Sequence, residues 1–354
     1  MVESNNDRRV AIACQGGGSH TAFTAGVLKK LLKEKDGEKH NYEVVALSGT
    51  SGGAICALLA WYGLLMNDIN KAAELLDSFW RDNSANSVWD RHLNNWLLEM
   101  SRFFANTGGI PIVNPYFRPP WGRDLLKSMI EKHVGFERIE ELVKPSSPLL
   151  LVGAVNVLSG EFKVFRSHEF VDDNGRKVVE NNPSDGISVE AILASTATPL
   201  LFRAVGIGKN AYWDGLFSQN PPVRELPDSK PDEIWVIQIN PDTSKSEPKT
   251  MPNILDRRNE LSGNLSLFQE IHFIEVVNRW VDEGYLSGTK HRVIEVKRIQ
   301  MLRDLDLASK LNRSPEFIEG MIAYGEERAE NFLEEFHRGS SRRGGRRAHG
   351  FRKP

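Results

Sequence analysis

Cysteine is close to absent from this chain, with Cys14 and Cys56 the two representatives among 354 residues. That scarcity excludes a disulfide framework and a cysteine-rich zinc module, and both thiols sit in apolar runs where buried free cysteines are expected. Long hydrophobic runs are missing as well. No stretch reaches the roughly 18 uncharged apolar residues of a membrane-spanning helix, and residues 1–9 hold no apolar leader core. The expectation is a cytoplasmic protein that touches the inner face of a membrane at most peripherally. A dominant charge is lacking too: 45 Lys and Arg stand against 47 Asp and Glu, a formal −2. Residues 338–354 carry seven cations and no acid, so the remaining chain stands at −9 (−2 minus +7). A body of that sign does not point to nucleic acid as a partner. No internal repeat is evident, and no metal or cofactor is expected.

Glycine, in contrast, is concentrated where it can do chemistry. Gly16-Gly17-Gly18 follows the apolar run Val10-Ala11-Ile12-Ala13-Cys14 and precedes a segment, 21–32, whose Phe23, Val27, Leu28, Leu31 and Leu32 recur at helical spacing. Backbone N–H groups in such a strand-to-helix turn are unshielded by side chains and point with the helix dipole, so they can hold a developing oxyanion. A phosphate or dinucleotide loop is the competing explanation, but Ser19-His20-Thr21 omits the third glycine of Gly-x-Gly-x-x-Gly. The pattern then repeats. Val44-Val45-Ala46-Leu47 predicts a strand, 54–65 a helix apolar on nearly every face, and Gly49-Thr50-Ser51-Gly52-Gly53 the bend between them. Glycines two before and two after Ser51 let strand and helix approach closely enough to present its hydroxyl in a strained turn, as a nucleophile elbow requires.

A serine nucleophile needs a base. His168, His272 and His291 follow Ser51 among nine histidines, none in a recognisable catalytic turn. Asp214 is the stronger candidate. It ends Ala211-Tyr212-Trp213, a strand returning from 203–207 through Gly208-Lys209-Asn210, and Gly215 turns the chain beyond it. Strand ends are where active sites of open α/β sheets lie. The segment alone also fits a solvated Asp-Gly turn.

Taken together, these motifs resemble those of bacterial patatin-like phospholipases. That family pairs a Gly-Gly-Gly oxyanion loop with Gly-x-Ser-x-Gly about thirty residues on, then an Asp-Gly-Gly or Asp-Gly-Ala motif holding the aspartate of a Ser-Asp dyad. Ala194-Ser195-Thr196-Ala197-Thr198-Pro199 is similar to its Ala-Ser-x-Ala-x-Pro segment. The resemblance spans roughly 8–240. It implies a three-layer α/β/α fold with a mainly parallel central sheet related to α/β-hydrolases, and a lipid acyl hydrolase acting on phospholipids or lysophospholipids. It implies Ser51 as nucleophile, Asp214 as base and Gly16, Gly17 and Gly18 as the oxyanion loop. Two positions depart. His20 stands where the family commonly has Arg or Lys, making it a candidate second base or phosphate contact, or a helix-start histidine with an exposed ring. Leu216 stands where a small residue is usual.

The rest of the chain is expected to be scaffold within one unit, 1–337, whose core is 8–240. Five of eight tryptophans, Trp61, Trp80, Trp89, Trp96 and Trp121, fall before residue 122, suggesting a helical cap over about 66–145 that could wall an acyl pocket. Residues 233–239 and 293–296 predict strands, 254–286 and 315–336 helices, so 241–337 forms a C-terminal helical scaffold. The basic tail 338–354 is expected to lack fixed structure and either to steer the protein to anionic lipid or to serve as a solvated, solubilising terminus. Two other functions remain open at this point: a Ser-His-Asp esterase using His272 or His291, and a non-catalytic lipid-binding regulator.

Overall fold

A computed structural model describes residues 8–37, 40–87, 90–92, 94–95, 98–99, 114–117, 121–168, 185–288 and 291–347. Its centre is a sheet in the order β6-β7-β4-β3-β1-β8-β9. These strands are β1 (Arg8–Cys14), β3 (His40–Gly49), β4 (Leu149–Asn156), β6 (Val205–Ile207), β7 (Asn210–Asp214), β8 (Glu233–Gln238) and β9 (Glu295–Gln300). From β4 to β9 every neighbouring pair is parallel. At the other end β7 and β6 run antiparallel, and β5 (Phe162–Arg166) pairs antiparallel with β4. The short β2 (Asp36–Gly37) pairs with the start of β3.

The apolar strand sequences follow from burial on both faces. Val10, Ile12 and Cys14 of β1 enter one core with the helices α1 (Ala22–Glu34), α2 (Gly52–Leu65) and α3 (Ile69–Asn83) and with the final helix Pro315–Arg347. Ala11 and Ala13 face the opposite core, where Leu267 and Ile274 of the long helix Met251–Asp282 cover the sheet. This is the three-layer, mainly parallel architecture expected. The hairpin read at 203–214 is also present, Ile207 pairing with Asn210 around Gly208, whose φ of 61° suits glycine.

The C-terminal helix is seated at backbone range. A Cβ on Gly26 of α1 would lie 2.0 Å from the Ile322 carbonyl oxygen, and one on Gly325 would lie 2.1 Å from that of Phe23. Farther along, Phe332 and Phe336 meet Trp235 of β8 edge-on at 4.9 and 5.3 Å. This helix also corrects an expectation, since it runs to Arg347 rather than ending near 336, so the first part of the basic tail is helical. Extending a helix costs far less than nucleating one and arginine is a good helix former; Arg338 also pairs with Glu334 one turn back at 3.3 Å. Residues 348–354 lie outside the described residues.

The tryptophan-rich stretch divides. Trp61 is fully buried in α2 with its Nε1 donating to the Pro148 carbonyl at 2.7 Å, and Trp80 is core in α3. Both fill the core of the helical layer against the sheet. Trp121 begins an outer helix, Trp121–His133, and is exposed, while Trp89 and Trp96 lie outside the described residues. Among the described residues no helix is long and apolar enough to cross a membrane.

Candidate active site

Ser51 stands where β3 hands over to α2, with φ 58° and ψ −132°. That left-handed backbone is costly for a residue with a side chain and persists only where its surroundings impose it. The glycines impose it by permitting contact. A Cβ on Gly53 would sit 2.2 Å from the Cys14 carbonyl oxygen, and one on Gly49 would sit 2.5 Å from the Gly53 carbonyl. A second support comes from the helix Val189–Thr196. Ser195 Oγ donates to the Gly153 carbonyl at 2.6 Å and accepts from the Ser51 N–H at 3.0 Å. The nucleophile turn is thereby tied to β4.

The glycine loop lies against this elbow, because a Cβ on Gly16 would meet Thr50 O at 2.5 Å and Ser51 Cβ at 2.7 Å. Gly16 itself is buried and its N–H donates to Asn220 Oδ1 at 2.8 Å. It is therefore not available to an oxyanion, which corrects its place in the predicted hole. Gly17 is half-buried, Gly18 exposed with φ 58°, and among the described residues neither N–H has a protein acceptor. Gln15 locks the strand end beneath them. Its Oε1 accepts from the amides of Ile239 and Asn240 at 2.9 and 2.8 Å while its Nε2 donates to Asn264 Oδ1 at 2.9 Å.

Asp214 closes β7, paired with Ala154 of β4, and is buried. Its Oδ2 accepts from Thr198 Oγ1 at 2.9 Å and its Oδ1 from the Leu216 N–H at 2.9 Å. Burial pushes the carboxyl up to about 6, and hydrogen bonds from the Ser51 and Thr198 hydroxyls and the Leu216 amide pull it back. A desolvated carboxylate near a strained serine, with two unused backbone N–H groups beside the elbow, has the parts of a nucleophile, a base and an oxyanion site.

Residues 12–227 match the family model described as patatin-like phospholipase. The chain belongs to that family. The family is one of lipid hydrolases. No curated protein matches the sequence. Among solved structures it is similar to VipD from Legionella pneumophila, at 12% identity and TM-score 0.44, covering 93% of this chain and 67% of that one. It is also similar to the type III effector protein ExoU, at 16% identity and TM-score 0.39, covering 92% of this chain and 53% of that one. A third similarity is to the heterodimeric ExoU-SpcU complex of Pseudomonas aeruginosa, at 13% identity and TM-score 0.29, covering 96% and 63%. The patatin-like chain thus spans about half to two thirds of these proteins.

Within the patatin-like site, His20 is neither exposed nor charged. Its Nε2 is engaged with Ser309 Oγ at 2.7 Å, its ring lies 6.1 Å from that of Phe317, and burial with the nearby Lys310 ammonium lowers its pKa to about 3, Asp306 opposing. It serves as a neutral strut between the glycine loop and the turn Leu307–Leu311. The later histidines also stand apart. His272 and His291 are exposed, His168 is bonded to Ser167, and among the described residues no histidine bonds to Asp214. Sequence reasoning assigned no role to Ser195, Thr198, Asn220 or Gln15. The Ala-Ser-x-Ala-x-Pro likeness and the Asn220-Pro221-Pro222 turn were the available signals.

Proposed function

We propose that this chain is a serine lipid acyl hydrolase that cleaves fatty-acyl ester bonds of phospholipids or lysophospholipids through an acyl-Ser51 intermediate, with Asp214 as the base. The observation that carries this reading is the buried carboxyl of Asp214, raised to about 6 by desolvation, with the Ser51 hydroxyl among the groups that pull it back. An ordinary carboxylate is a weak base for a hydroxyl; burial makes this one stronger while leaving it ionised at neutral pH.

In the first step Ser51 Oγ attacks the ester carbonyl carbon and its proton passes to Asp214. Negative charge develops on the carbonyl oxygen, where the N–H groups of Gly17 and Gly18 stabilise it. Collapse breaks the ester bond; the departing alcohol takes the proton from Asp214. Water then attacks the acyl-serine, losing its proton to Asp214, and as the acyl–oxygen bond breaks Ser51 Oγ takes that proton back and the fatty acid leaves. Ser195 holds the Ser51 backbone during both steps, and Thr198 fixes the carboxylate orientation. The arrangement of Asp214 supports the dyad over the Ser-His-Asp alternative, in which a histidine would have to bridge serine and acid.

A fluorophosphonate probe is expected to label the native chain at Ser51 and to leave Ser51→Ala unlabelled, while incubation with phosphatidylcholine releases free fatty acid. Labelling at another residue, or full turnover in Asp214→Asn, overturns the assignment.

A further inference from the structure

One lip of the site is apolar and turned to solvent. From Thr198, which bonds Asp214, the chain runs through Pro199 to Leu200 and Leu201, which are 62% and 55% exposed. Leu200 has φ 72°, a conformation that a branched side chain rarely adopts. The turn that holds it is closed by the Leu201 and Phe202 amides donating to the Thr198 carbonyl at 3.2 and 3.0 Å. Two other segments converge on the same lip. Arg203 donates to the carbonyls of Pro115 and Tyr116 at 3.1 and 2.9 Å, and the Ala204 N–H donates to the Tyr116 hydroxyl at 3.3 Å. Those bonds pin the turn Pro115–Phe117 in place and leave Phe117 84% exposed. The outer helix packs beside it, a Cβ on its Gly122 lying 3.3 Å from the Phe202 ring, so Trp121 stands there 77% exposed. Arg123 and Arg203 share a shallow cleft with Thr196, Ala197 and Phe202 just inside this rim.

We propose that Phe117, Trp121, Leu200 and Leu201 form an insertion surface that docks the enzyme on a phospholipid bilayer, with Arg123, paired with Asp124 at 3.2 Å, beside it on the rim. The proposal rests on the lipid-hydrolase reading above and adds the face through which substrate arrives. Three observations select a bilayer as the occupant. Exposed apolar side chains of this size are held outward by specific backbone bonds, at a cost in Leu200, rather than folded into the core. Large aromatic rings rimmed by the Arg123–Asp124 ion pair match the apolar-to-polar boundary of a lipid interface. The patch is also continuous with the peptide that holds Asp214, so a bilayer there presents its ester bonds at the site, whereas a protein or a second copy would cover it.

Binding is separable from catalysis in a Ser51→Ala background, where vesicles survive and failure of the hydrolase reading does not alter the result. The full chain is mixed with sedimentable phosphatidylcholine vesicles, with and without phosphatidylglycerol. Relative to this parent, the triple change Phe117→Ser, Trp121→Ser and Leu201→Ser is expected to lower the partition coefficient by about a hundredfold. Truncation after residue 337 is expected to lower it less. In case the triple variant loses its fold, the parent carries an independent measurement: brominated acyl chains should quench its fluorescence more than that of Trp121→Phe. Equal partition of parent and triple variant, no binding by the parent, or equal quenching overturns the proposal. So does loss of binding on truncation alone, which would make the tail the anchor, or a parent dimer that the triple variant abolishes.

Discussion

Replacing the proposed base by its neutral isostere, Asp214→Asn, should make this protein more stable while stopping the proposed chemistry. Burial is the largest influence on the Asp214 carboxyl and raises it from 3.8 to about 6. The unfolded chain therefore ionises before the folded one does. Below about pH 4 both states carry the proton and no penalty exists; as pH rises through 6, the folded state must hold a desolvated charge, and stability is lost. A gap of about two units corresponds to about 3 kcal/mol at neutral pH. Asparagine can still accept from the Leu216 amide and pair with Thr198, so it removes the charge and little else. For a chain of this length that gain should raise the unfolding midpoint by about 4 °C at pH 7.5. Near pH 4 the midpoints should coincide. Calorimetry of both proteins across that range is the test, with ester turnover measured in parallel. A lower midpoint for Asp214→Asn at pH 7.5, or a gain that persists at pH 4, would refute the reasoning that desolvation poises the carboxylate.

Turnover in the native protein should show one ascending limb centred near pH 6, set by ionisation of Asp214, and His20→Gln should leave that limb in place because His20 stays neutral throughout; a pH profile of kcat/KM for each decides it. Ser195→Ala removes the acceptor of the Ser51 N–H together with the anchor on Gly153, and is expected to cost about tenfold in kcat and about 1–2 kcal/mol in denaturant unfolding. Gly53→Ala places a methyl 2.2 Å from the Cys14 carbonyl oxygen. Neither backbone can yield there, so it should destabilise by at least about 3 kcal/mol, read as a lowered midpoint with loss of probe labelling.

Those parts of the molecule built from short-range rules were legible in the sequence. β1, α1, α2, β7 and the elbow between β3 and α2 follow from apolar periodicity broken by glycine, because both strand and helix must bury their faces within a few residues of the turn. Where boundaries moved, a local rule was outweighed. The long helix starts at Met251 rather than near 254, since Thr250 caps it by accepting from the Asn253 N–H and Pro252 is tolerated in a first turn. β9 lies at Glu295–Gln300, displaced from 293–296, because pairing with β8 sets its register. Long-range contacts were not legible at all. His20 looked like a titrating residue because nothing near it in sequence reveals Ser309 or Phe317 on the far side of the chain. Gly16 looked like an oxyanion donor for the same reason, its acceptor being Asn220.

The backbone contact between α1 and the C-terminal helix separates two units of description. The stretch by which relatives can be recognised ends at residue 227. The stretch that must be present for α1 to have a partner extends about a hundred residues farther, to Gly325 and the aromatic rings of Phe332 and Phe336 against Trp235. Since α1 leads directly out of the glycine loop, cutting the gene at the recognisable boundary would leave that loop on a helix with one bare side. The minimal folded fragment is set by where glycines allow two helices to touch, and it is larger than the motif-bearing one.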